Sequence, residues 1–85
     1  MTADELPVFI MGPGADPERL MLVGRPAAGR VHVREWTGAD WSAPPGQRDV
    51  ACAEIADIVE RAVRDGRHVN QSPQVVRHWL DGARR

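Results

Sequence analysis

The sequence predicts a small α+β domain in which an antiparallel sheet of about three strands is covered on one face by two helices. Three observations predict this class. Apolar residues recur at a spacing of three and four over residues 49–65, short apolar runs precede them, and a second amphipathic segment covers residues 73–81. With 85 residues the chain has room for one core. We therefore expect a single domain, 1–85, with frayed ends at about 1–5 and 83–85.

The long helix is predicted over about 49–65. Asp49 is placed to cap its N-terminus through the carboxylate, and Gly66 to end it in the left-handed conformation. On the charged side, Asp57 and Glu60 each precede an arginine by four residues, a spacing that stabilises a helix by roughly 0.2–0.5 kcal/mol. The opposite side carries the apolar residues and Cys52, the single cysteine, which we expect to be buried.

Short strands are predicted over 8–11, 20–23 and 31–36, and the last two are expected to form a hairpin. In the third strand the side chains alternate, with Val31, Val33 and Glu35 on one face and His32, Arg34 and Trp36 on the other. Asp16-Pro17-Glu18 is typical of the start of a helix, so one helical turn is expected there. The composition of residues 37–47 predicts a loop.

The short C-terminal helix is predicted over about 73–81. Ser72 can cap it, Pro73 suits its first position, and Gly82 is expected to end it. Together these elements predict a core of eleven residues: Phe9, Leu22, Val31, Val33, Ile55, Ile58, Val59, Val63, Val76, Trp79 and Leu80.

The charge balance is nearly neutral, with 11 basic and 12 acidic residues and a net charge of −1. This argues against a chain built mainly to coat nucleic acid or an anionic membrane. Every basic residue is arginine, which with the abundant Ala, Gly and Pro indicates a coding bias of bacterial type. The sequence has neither a signal-peptide pattern nor an apolar run long enough to span a membrane. We expect a cytoplasmic protein that makes no membrane contact.

No pattern in the sequence predicts catalysis or metal binding. His32, His68, His78 and Cys52 are scattered, and no local signature brings a nucleophile and a base together. A metal site would require three or four ligands, usually at short spacings. The chain is therefore expected not to be an enzyme, and neither a cofactor nor a metal is expected.

The best candidate binding site is formed by His32, Arg34, Trp36 and Trp41. Tryptophan is enriched at protein interfaces, and the two tryptophans flank the start of the predicted loop. The alternative is that Trp36 belongs to the core or anchors this loop against the sheet. We expect the partner to be another protein, or a second copy of this chain paired through an open strand edge.

Residues 66–82 provide an alternative, DNA binding. The run Asn70-Gln71-Ser72-Pro73-Gln74, followed by Arg77, a Trp-Leu pair and Gly82, resembles the recognition-helix stretch of phage-repressor-type helix-turn-helix proteins. The resemblance implies that Asn70, Gln71, Gln74 and Arg77 face the DNA groove. The chain departs from that pattern by two extra residues after Gly66 and by a proline where a base-reading side chain would be useful. Residues 49–85 also carry six acids and six arginines, which gives no basic footprint.

Overall fold

The computed structural model describes residues 5–14, 16–38 and 40–81, and within them the chain has the predicted α+β class, with five strands and two helices. The elements in chain order are β1 (Leu6–Met11), β2 (Pro17–Val23), β3 (Arg30–Thr37), β4 (Gly46–Ala51), α1 (Cys52–Arg64), β5 (His68–Val69) and α2 (Pro73–Asp81). All strand pairs are antiparallel, in the order β4-β3-β2-β1-β5. The sheet therefore has two strands more than the three predicted.

The core lies between the two helices and one face of the sheet, which we call the inner face. It contains Ile55, Val59 and Ala62 of α1 and Val76 and Leu80 of α2. The sheet contributes alternate residues that share one face: Val8 and Ile10, Met21 and Val23, Val31 and Val33, and Val50. The predicted burial of Val31, Val33, Ile55, Val59, Val76 and Leu80 is confirmed.

Three residues of the predicted core lie outside it. Phe9 and Leu22 are half-buried on the opposite face, since their neighbours Val8 and Val23 point inward instead. In a run where every residue is apolar, alternation alone does not say which face is buried. The prediction therefore places Phe9 and Leu22 in the core, where the structure has their neighbours. Val63 is 46% exposed on α1, while Ile58 and Trp79 are partly buried and pack against the core.

The start of α1 differs from the prediction because the preceding residues belong to a strand. Asp49 pairs with His32 in the β3–β4 ladder, so it does not cap the helix. The N-cap residue is Ala51, which has extended backbone angles and makes no side-chain capping bond. At the other end Gly66 has a φ of +80°, as predicted for a left-handed stop.

Two further segments are extended where the sequence predicted otherwise. The expected helical turn at residues 16–18 is wrong, because β2 begins at Pro17 and pairs with both β1 and β3. The predicted loop 37–47 is shorter at both ends, because Thr37 completes β3 and Gly46 begins β4. Cross-strand pairing, rather than local composition, determines the conformation of these residues.

The start of α2 agrees with the prediction, since the Ser72 hydroxyl accepts a hydrogen bond from the Val75 amide at 3.1 Å. The pair Asp57–Arg61 is confirmed at 3.1 Å, but Glu60 contacts Arg77 on α2 instead of Arg64. The helix stop at Gly82 and the frayed ends lie outside the described residues, apart from Glu5, which pairs with Arg34. Neither described helix is long and apolar enough to cross a membrane.

Candidate functional site

Both helices pack on the inner face, and within the described residues no helix covers the other face, which we call the outer face. Its residues form cross-strand rows. One row joins Phe9, Leu20 and Trp36, a second joins Pro7, Leu22, Arg34 and Gln47, and a third joins His32 and Asp49. The outer face is thus apolar over β1, β2 and Trp36 of β3, and polar over the rest of β3 and over β4.

The apolar part of this face is extended by Trp41, which comes from the loop between β3 and β4. Its ring packs on Phe9 with centroids 5.5 Å apart and an angle of 49° between the rings. Trp41 is 37% exposed, while Phe9, Leu20, Leu22 and Trp36 are each half-buried. We call these five residues the apolar patch.

Indole and carboxylate hydrogen bonds hold the loop in place. Trp36 donates from Nε1 to the Ala43 carbonyl at 2.8 Å, and Trp41 donates from Nε1 to the Gly38 carbonyl at 3.1 Å. Asp40 Oδ1 accepts from the Ser42 hydroxyl at 2.5 Å and from the Ser42 amide at 3.1 Å. Both bonds favour the ionised form, so they lower the pKa of the Asp40 carboxyl. The predicted site residue Trp36 therefore anchors the loop as well as contributing to the patch.

The cation predicted in this site, Arg34, is already paired. Its Nη2 donates to both carboxylate oxygens of Glu5, at 2.7 and 2.6 Å. The Arg34 side chain is 37% exposed and that of Glu5 is 20% exposed. Because Arg34 is paired with Glu5, the border of the apolar patch carries a positive and a negative charge side by side, and not the single positive charge of an unpaired arginine.

His32 is held by two residues of the neighbouring strand. Its Nδ1 lies 2.9 Å from Asp49 Oδ1, and its Nε2 lies 3.1 Å from Gln47 Oε1. Only the imidazolium form can donate from both nitrogens, so these bonds, that to Asp49 first, raise the pKa of His32. The exposed ring thus belongs to a polar cluster that links β3 to β4.

The structure brings three of the four predicted site residues onto one face of one strand, as the alternation predicts. His32, Arg34 and Trp36 lie side by side along β3, and Trp41 lies beyond Leu20 and Phe9. The sequence does not predict Phe9, Leu20 and Leu22 as part of this surface. The signal that could have found them is the second set of alternating positions in the two apolar runs.

Most residues of the DNA-binding alternative make contacts within the fold. Asn70 and Gln71 hydrogen-bond to β1, with Gln71 Nε2 donating to the Pro7 carbonyl at 3.2 Å. Arg77 contacts Glu60, and Gln74 is exposed on α2. Three of the four side chains are therefore engaged in contacts within the fold.

Among the described residues, no three histidine, cysteine or acidic side chains are grouped so that they could hold a metal ion. The Cys52 thiol is partly buried. Comparison with protein-family models, curated proteins and solved structures finds no match to this chain. The assignment of a function therefore depends on the chemistry of these surfaces.

Proposed function

We propose that this chain is a non-enzymatic, cytoplasmic module that binds another protein through the outer face of its sheet. The observation that carries the proposal is the apolar patch of Phe9, Leu20, Leu22, Trp36 and Trp41 on a sheet face that no described helix covers. The apolar face of a sheet is normally buried against a second layer. In this chain a partner would supply that layer.

The border of the patch supports a specific partner rather than general adhesion. On the β3–β4 side lie the Arg34–Glu5 pair and the cluster of His32, Asp49 and Gln47. An apolar centre with aromatic residues, surrounded by polar groups, is the usual anatomy of a protein interface. Because both signs of charge are present at this border, the partner is expected to be of mixed polarity rather than strongly acidic.

The open edge of the sheet at β4 is a less favourable place for self-association than the outer face. In an antiparallel pair of β4 strands related by a two-fold axis, one residue lies opposite its own copy. When the pairing is centred on Arg48 or Asp49, in the middle of β4, that arrangement puts like charges side by side. A homodimer, if it forms, should therefore bury the apolar patch.

The test compares two exposed apolar residues on opposite sides of the molecule. Trp41→Ser removes the most exposed part of the patch, and Val63→Ser, the matched control, changes a 46% exposed residue of α1. Binding is measured with the partner captured by the unmodified chain, and self-association by sedimentation at several protein concentrations. We expect Trp41→Ser to weaken the association about tenfold or more, as truncation of an interface tryptophan does. Val63→Ser should have no effect.

Urea unfolding of both variants establishes that each is folded before binding is compared. Equal binding by Trp41→Ser, Val63→Ser and the unmodified chain would contradict the proposal. Iodide quenching gives an independent readout, since Trp41 should be accessible in dilute solution and protected when the partner is added.

A further inference from the structure

The sheet ends at β4 on one side and at β5 on the other, and the two edges differ. β5 has only two residues, and beyond it the side chains of Asn70 and Gln71 hydrogen-bond to the backbone of β1. β4 has six residues, five of them exposed, and within the described part of the chain no further strand pairs with its open side. The edge at β4 is therefore the longer and more accessible of the two.

Two hydrogen bonds identify the backbone groups of β4 that face this open side. The Cys52 amide donates to the Gly29 carbonyl at 2.9 Å and so continues the β3–β4 register by one pair. In an antiparallel ladder every second pair exchanges backbone hydrogen bonds, so the even-numbered residues of β4 bond to β3. The His32 carbonyl, which accepts from the Gly24 amide at 2.8 Å, faces β2 and gives the same assignment for its partner Asp49. The residues whose N–H and C=O groups point to the open side are Gln47, Asp49 and Ala51.

The side chains of these three residues leave the open side accessible. Asp49 and Gln47 lean over β3, where they lie 2.9 and 3.1 Å from the ring nitrogens of His32, and Ala51 has only a methyl group. β4 contains no proline, and its pairing with β3 runs without a register shift. Sheet edges are commonly blocked by short strands, prolines or bulges, and β4 has none of these features.

The charged side chains of β4 are already paired within the chain. On the inner face Arg48 lies 3.4 Å from Glu54, and on the outer face Asp49 lies 2.9 Å from His32. Each face of the edge thus carries an acidic group beside a basic one, so an added strand with uncharged residues suits both faces. A second copy of β4 suits them less well, because pairing centred on Arg48 or Asp49 places that residue opposite its own copy.

We propose that the edge of β4 binds an extended, uncharged segment of another protein, rich in Thr and Val, as an added antiparallel strand. The outward backbone groups of Gln47, Asp49 and Ala51 recognise it, because an extended backbone presents N–H and C=O groups at the same spacing. β-Branched residues favour the extended conformation that this pairing requires. The surface is separate from the apolar patch, which lies on the outer face over β1, β2 and Trp36.

The test is a titration of the ¹⁵N-labelled chain with the peptide Thr-Val-Thr-Val-Thr-Val, acetylated and amidated at its ends, followed by amide chemical shifts and hydrogen exchange. We expect saturable shifts and slower exchange at the amides of Gln47, Asp49 and Ala51. The amides of Arg48 and Val50 already bond to β3, so their exchange should change little. This alternation distinguishes strand pairing from a contact made by side chains alone.

Two matched peptides determine what the edge recognises. The same peptide N-methylated at its four central residues keeps its side chains but loses these backbone donors, and it should give no saturable shift. A peptide with the sequence of β4, Gly46–Ala51, should bind about threefold or more weaker than the Thr-Val peptide, because it brings like charges to the edge.

Ala51→Pro tests the edge by a change in the protein. Ala51 has a φ of −65°, the angle that a proline ring imposes, so the substitution removes an outward N–H and keeps the bonds to β3. We expect the Thr-Val peptide to bind about three- to tenfold more weakly. Ala51→Ser retains the N–H and is the matched control, which should bind as the unmodified chain does. Urea unfolding establishes that both variants are folded.

The proposal is overturned if the Thr-Val peptide causes no saturable shift, if exchange slows equally at Arg48 and Asp49, or if either matched peptide binds as well. Equal binding by Ala51→Pro and Ala51→Ser would also overturn it. If Ala51→Pro does not fold, the N-methylated peptide tests the same backbone contacts. Trp41→Ser should retain peptide binding, so the result is independent of the function proposed for the outer face.

Discussion

The side chain of Asn70 continues the pairing between β5 and β1 beyond the last residue of β5. The backbone amide of Asn70 donates to the Phe9 carbonyl at 3.2 Å, and the side-chain oxygen Oδ1 of Asn70 accepts from the backbone amide of Phe9 at 2.6 Å. Its Nδ2 also donates to the Pro7 carbonyl at 3.0 Å. Because β5 contains only two residues, these bonds extend the ladder on this edge of the sheet and fix the point at which the chain enters α2.

Asn70→Ala should therefore destabilise the fold by about 1–2 kcal/mol, because the Phe9 amide loses its acceptor. Gln71→Ala is the matched control. Gln71 also donates to the Pro7 carbonyl, which retains the bond from Asn70, so a smaller loss is expected. Urea unfolding followed by tryptophan fluorescence measures both values.

The same variant distinguishes the structural role of Asn70 from a role in reading DNA. If Asn70 contacted bases, its replacement would reduce DNA affinity and leave the free energy of unfolding unchanged. A DNA titration at two salt concentrations with Gln74→Ala and Arg77→Ala completes the test, because binding to phosphates weakens steeply as salt is added. An unchanged unfolding energy for Asn70→Ala would contradict the structural role.

A second prediction concerns the end of α1. Gly66 has a φ of +80°, and a methyl group at this position would meet no atom within 4 Å. The cost of Gly66→Ala is therefore conformational, about 1–2 kcal/mol. Gly14→Ala is the control, since its surroundings are equally open but its φ is not positive, and it should change stability by less than about 0.5 kcal/mol. Equal unfolding midpoints for the two variants would show that the left-handed stop is unimportant.

The two helices could be predicted from the sequence because their apolar residues repeat with the helical period. The boundary of α1 could not, because Asp49 is a plausible cap whose extended conformation is set by pairing with His32, a residue distant in the chain. The sequence of β4 gives almost no strand pattern, because Val50 is the only residue of this strand that is buried and apolar residues therefore do not alternate along it. β5 is only two residues long, and the hydrogen bonds of Asn70 extend its pairing with β1.

The candidate site was predictable on β3 and not beyond it. The alternation of polar and apolar residues in β3 places His32, Arg34 and Trp36 on one face, and the structure confirms this placement. In β1 and β2 both sets of alternating positions are apolar, so nothing in the sequence assigns Phe9 and Leu20 to the outer face. The contact of Trp41 with Phe9 depends on the path of a loop, which local composition does not determine.

The hydrogen bond from Trp36 to Ala43 provides a third prediction. Trp36→Phe keeps an aromatic ring on the outer face but removes the N–H that donates to the Ala43 carbonyl. We expect a loss of about 0.5–1.5 kcal/mol in unfolding free energy and stronger iodide quenching of Trp41, since the loop is less firmly held.

Trp79→Phe is the matched control for this measurement. Trp79 lies on α2, and its buried Nε1 has no hydrogen-bond partner within the described residues. The variant should therefore leave the quenching of Trp41 unchanged. Unaltered quenching in Trp36→Phe would mean that the loop is held by other contacts, with the Trp41–Phe9 packing as the principal one.

The fourth prediction is a dependence on pH at His32. Its pKa is raised above the ordinary value of 6.5 by hydrogen bonds to Asp49 and Gln47, while the nearby charge of Arg34 acts in the opposite direction. A raised folded-state pKa means that the protonated ring stabilises the fold. This contribution is complete below 6.5 and is lost as the pH rises through the folded-state value.

An NMR titration of the His32 ring should therefore give a midpoint above 6.5. Asp49→Asn should move that midpoint downward, because it removes the carboxylate that contributes most to the shift. His32→Gln should show a smaller loss of stability than the unmodified chain as the pH is raised through neutrality, since it has no proton to lose at this position. A midpoint at or below 6.5, or one that Asp49→Asn leaves unchanged, would show that the ring is not held to β4 in solution. The link between β3 and β4 would then depend on the backbone ladder alone.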